Sequence, residues 1–93
     1  MAINYHRVKK DTNQDAIKAV LEAYGAVVIN CTALKKAFDL LVLYKGNSYI
    51  CEVKQPKCNL SEGELKCKYK VESVGVKYHV LRTCEDALEM INK

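Results

Sequence analysis

The chain has 93 residues, with 15 Lys or Arg against 11 Asp or Glu and a formal net charge of +4. That length suits one small domain spanning residues 1–93, with a core modest enough that dimerisation is a natural supplement. No apolar run approaches the ~18 residues of a membrane span. The polar start, MAINYHRVKK, lacks the apolar stretch of a secretory signal, so the expectation is a cytoplasmic protein.

In chain order, residues 1–10 read as a loose basic arm. Asp11-Thr12-Asn13 offers helix caps, and Ile17, Val20, Leu21 and Tyr24 recur at helical spacing until Gly25 stops the run. Ala26–Cys31 reads as a strand. Thr32–Lys36 is a polar connection, and Phe38–Tyr44 is a nearly unbroken apolar run, as in a strand covered on both faces. Lys45–Ser48 is a tight turn and Tyr49–Lys54 the returning strand. After a loop containing Pro56, Ser61 and Glu64 form a capping box for a helix that Gly75 ends. Lys77–Leu81 is a strand, and Thr83 with Asp86 caps a last helix. The order α-β-β-β-α-β-α, with a helical crossover after a hairpin, predicts an α/β fold with a mixed sheet flanked by helices.

Five cysteines (31, 51, 58, 67 and 84) are an odd number with no C-x-x-C pair. A disulfide framework wants a secreted chain and paired cysteines, and zinc wants close ligand pairs, so these read as reduced structural thiols. His79 sits in a strand with no zinc-like partner spacing, and His6 lies in the arm. The six tyrosines form no base-stacking row.

The chemistry concentrates on the central hairpin. If Tyr44 pairs with Tyr49, Leu41 lies opposite Glu52 and Asp39 opposite Lys54, and alternation puts Asp39, Leu41, Glu52 and Lys54 on one face. Asp39 and Glu52 are then diagonal neighbours roughly 7–8 Å apart at Cα. Two carboxylates so placed suit a hard cation such as Mg²⁺. Lys54 beside them can orient or deprotonate a water, or offset charge growing on a phosphate. The plainer alternative is an Asp39–Lys54 cross-strand ion pair with Glu52 as a lone edge residue. Lys35, Lys36, Lys57 and Lys66 crowd the same part of the chain, where each either simply solvates the surface or is a candidate nucleic-acid contact.

The pattern Asp39-x₁₂-Glu52-x-Lys54 across a hairpin resembles the PD-(D/E)xK nuclease superfamily. Residues 36–82, with Leu60-Ser61 and Gly75 at matching distances, resemble more specifically its virus-type replication-repair nuclease (VRR-NUC) domain. The upstream helix, with Gln14 and Ala23-Tyr24-Gly25, extends the likeness to about nine-tenths of the chain. The resemblance implies a restriction-endonuclease-like core. It makes Asp39, Glu52 and the Val53 carbonyl metal ligands for Mg²⁺ or Mn²⁺, and Lys54 the catalytic lysine. Gln14, Asp11 or Glu64 would be supporting residues. The chain departs from the family at Phe38, where proline is usual, and at Glu64, where glutamine is usual. The implied activity is a metal-dependent endonuclease of phage or bacterial host cells, acting as a homodimer on branched DNA such as a Holliday junction. A catalytically silent binding module and an RNA-processing nuclease are the alternatives.

Overall fold

The computed structural model describes residues 2–34 and 37–93, with side chains from residue 13 onward. The elements are α1 (Ala2–Ala23), β1 (Val27–Asn30), β2 (Leu40–Tyr44), β3 (Asn47–Val53), α2 (Glu62–Glu72), β4 (Tyr78–Leu81) and α3 (Cys84–Ile91). This is the predicted order. The sheet runs β1-β2-β3-β4, antiparallel across the first three strands, with β4 parallel to β3 after the α2 crossover.

Alternation along the strands divides the sheet into two unlike faces. On one face Val28, Leu40, Val42 and Cys51 meet Ile17 and Leu21 of α1 and Ala87, Met90 and Ile91 of α3, forming the core. The other face carries Glu52, and α2 covers it only lightly: no residue of α2 is buried. Helix α2 is held at its start by the expected capping box, with Ser61 Oγ accepting from Glu64 N–H and Glu64 Oε1 accepting from Ser61 N–H. All five cysteines are free thiols, and burial pushes the Cys51 thiol up to about 12, which keeps it an apolar core group.

Two expectations are corrected. Helix α1 begins at Ala2, so the backbone of residues 2–10 is helical rather than a loose arm, and Asp11-Thr12-Asn13 lies inside the helix instead of capping it. Residues 2–10 contain neither Gly nor Pro, so nothing in the sequence breaks the helix there. The hairpin register is also shifted by two residues: Tyr44 pairs with Asn47 and Leu41 with Ile50. The turn is the two-residue Lys45-Gly46, with φ of 48° and 82°. Positive φ at both central positions is the type I′ signature, which follows the strand twist and needs a residue such as glycine in the second place. An even shift preserves the faces, so Asp39, Glu52 and Lys54 remain on one side.

The turn supplies a test of this register. Lys45 occupies a left-handed conformation that costs an ordinary L-residue ~1–2 kcal/mol and asparagine less. Lys45→Asn should therefore stabilise the protein by about 0.5–1 kcal/mol, seen as a Tm rise of roughly 2–6 °C in thermal denaturation. A fall in Tm would count against the Lys45-Gly46 turn.

Candidate functional site

Asp39 stands one residue before β2, and Lys54 one residue after β3. Asp39 is clamped through its main chain: Cys31 N–H donates to its carbonyl at 2.7 Å, and its own N–H donates to the Cys51 carbonyl at 3.1 Å. Its carboxylate Oδ2 accepts from Val53 N–H at 2.9 Å. Lys54 N–H continues the β3–β4 pairing by donating to the Leu81 carbonyl, and Asn13 Nδ2 of α1 donates to the Lys54 carbonyl at 3.0 Å. The three charged residues thus hang on a backbone tied to three neighbouring elements.

Glu52 lies within an internal strand and is only 5 % exposed. Tyr78 of β4 donates its hydroxyl to Glu52 Oε1 at 3.2 Å. Burial, a contact with the Glu64 carboxyl, and the charge of Asp39 push the Glu52 carboxyl up to about 9. Lys54 Nζ sits 2.8 Å from Glu64 Oε1, and that bond favours its ammonium form against the opposing effect of burial. Burial pushes Glu64 upward, but its bonds to Lys54 and to Ser61 N–H outweigh this and hold it at about 2. The Tyr78 hydroxyl is raised by burial and by the neighbouring Glu52 charge, so it stays a donor. The plain Asp39–Lys54 ion pair is therefore not formed, and Glu52 is no edge residue.

These groups open onto a cleft of about 670 Å³ lined by Gln14, Asp39, Glu52, Val53, Lys54 and Glu64, all singled out from the sequence. Asn13, Asp15, Asn30 and Thr32 also line it. Four carboxylates and one ammonium face it in all. Lys57 and Lys66 are exposed and lie outside the cleft lining. Lys35, Lys36 and the Asp11 side chain lie outside the described residues. Among the described residues, no three His, Cys, Asp or Glu side chains are arranged to hold one metal ion. His79 packs edge-on against Tyr49 on the core side, and burial lowers its pKa.

Among solved structures, a chain described as a VRR_NUC domain superposes on 90 % of this chain and 95 % of its own length, with a TM-score of 0.72 and 24 % identity. The chain has the VRR-NUC fold. No family model matches it, and neither does any curated protein.

Within this VRR-NUC fold, Asn30 and Thr32 join the cleft without a signal in the sequence, and Asn13 and Tyr78 have roles beyond those the sequence suggests. Asn13 has the chemistry of a helix cap, but α1 begins at Ala2 and its amide serves Lys54 instead. The sequence pattern makes Tyr78 an ordinary strand residue, whereas the parallel β4 beside β3 brings it diagonally to Glu52. A tyrosine on a strand flanking a buried acid was the available signal, since a buried phenol needs a hydrogen-bond partner.

The Glu52 carboxyl gives a pH test. Its folded value lies above its ordinary value of 4.5, so folding favours the protonated form. That stabilisation is complete below about 4.5 and is lost as pH rises toward about 9. In chelator, the Tm of the wild-type chain should fall across this window more steeply than that of Glu52→Gln. Parallel Tm profiles would refute the raised Glu52 carboxyl.

Proposed function

We propose that the chain is a Mg²⁺- or Mn²⁺-dependent endonuclease that hydrolyses phosphodiester bonds in DNA. The observation that carries this reading is the convergence of Asp39, buried Glu52 and Lys54 on one cleft. A buried carboxyl crowded by two others is costly as an anion unless a cation joins it. The donor set fits magnesium, which keeps several waters and takes one or two carboxylates. Asp39 and Glu52 would hold the ion, with the Val53 carbonyl as a further oxygen. Such an ion would supply Lewis acidity toward the scissile phosphate and make a water acidic enough to attack it.

The protein groups have separate tasks. Lys54, steadied by Glu64 and by its tied backbone, presents an ammonium to charge developing on the phosphate. Asn13, Gln14, Asn30 and Thr32 give the cleft neutral hydrogen-bonding walls. The cleft is otherwise acidic, so a polyanion enters it only with cations, which makes divalent ions a requirement for binding as well as for cleavage. Branched DNA is the preferred substrate and a homodimer the working form, because paired cuts on two strands ask for two symmetric sites. The cytoplasm is the matching compartment.

Cleavage of branched and linear DNA in Mg²⁺ or Mn²⁺ tests the reading. Asp39→Ala and Glu52→Ala should abolish product while retaining a cooperative thermal transition, and chelator should do the same to wild type. Lys54→Ala should lose about 10²–10³-fold in rate. Undiminished cutting by either acid variant would defeat the proposal. Cleavage confined to an RNA version of the substrate would move it to RNA processing.

Binding is separable from chemistry. Fluorescence anisotropy with a labelled four-way junction should show tighter binding in Ca²⁺ than in chelator. The gain should vanish in Asp39→Ala.

A further inference from the structure

The Glu52 carboxylate has a second partner across the sheet that the proposed chemistry does not use. Tyr78 is 4 % exposed, and its hydroxyl meets Glu52 Oε1 at 3.2 Å. The parallel register pairs Ile50 with Tyr78 and Glu52 with Val80, so the phenol reaches diagonally from β4 to the acid. Tyr78 and Glu52 share the sheet face turned away from the core, and the phenol comes from the β4 side without lining the cleft. The hydroxyl therefore holds Glu52 Oε1 from the strand beside it.

Resting on the metal reading above, we propose that Tyr78 is a positioning residue that locks the Glu52 carboxylate in the rotamer that receives the divalent ion. A Glu52 side chain without such a donor would swing between its neighbours Asp39 and Glu64. The hydroxyl opposes that swing, because it holds one carboxyl oxygen in place. Outer partners of this kind typically govern metal affinity by about 10–100-fold.

The test is calorimetric titration of Mn²⁺ into the metal-free full chain. Tyr78→Phe removes one atom and keeps the ring, so the core packing survives. The expected result is a folded variant whose Mn²⁺ affinity falls by about 10–100-fold. The Mn²⁺ concentration for half-maximal DNA cleavage should rise by a similar factor. A purely structural tyrosine would lower Tm and leave the affinity in place, and that result overturns the proposal. Should Tyr78→Phe fail to fold, 3-fluorotyrosine at position 78 keeps ring and hydroxyl while changing the acidity of the phenol. Metal affinity then moves if the hydroxyl holds Glu52, and stays if it does not. Wild type that takes up no Mn²⁺ would sink the metal reading itself, whereas equal affinities in wild type and Tyr78→Phe would sink only the role of Tyr78.

Discussion

Burying Glu52 is the constraint around which this domain is arranged. A carboxyl on an internal strand loses its water, and an isolated ion in that position is costly by several kcal/mol or more. The chain surrounds it with groups that bear on its charge: the Tyr78 hydroxyl on one side, Asp39 and Glu64 on the other, and Lys54 drawn close by Glu64. Two of these neighbours are acids, so the arrangement aggravates the electrostatic problem instead of relieving it. A fold selected for stability alone would place an apolar residue here.

The two faces of the sheet divide the work. Leu40, Val42 and Cys51 point to α1 and α3 and build the core, while their strand neighbours Asp39 and Glu52 point the other way. Asp39 and Glu52 are thus each a single residue from a fully buried one. The clamp on Asp39 and the Asn13 bond to the Lys54 carbonyl transmit that rigidity to the cleft. This is how a chain of 93 residues holds a site without a separate scaffold.

Much of this was legible in the sequence. Period-two alternation placed Asp39, Glu52 and Lys54 on a common face, and that conclusion survived a register error because the slip was even. The error itself came from turn geometry: backbone φ at Lys45 and Gly46 set the pairing, and several placements of the turn suit the same residues. The start of α1 was missed because Asp, Thr and Asn are good caps yet only weakly unfavourable inside a helix. Glu64 was seen to choose between capping and the site, and it does both, since one oxygen meets Ser61 N–H and Lys54 Nζ. Tyr78 could not be placed without knowing which strand flanks β3, a long-range fact that local pattern does not carry.

Helix α2 forms one wall of the cleft yet buries none of its residues. Its first turn is tied to the cleft by the Lys54–Glu64 bond, whereas the hairpin floor is anchored in the core. Such an unevenly secured segment belongs to the low end of the local stability range, where amides exchange with solvent while the rest stays closed. The wall can therefore loosen while the strands that carry the acids stay closed.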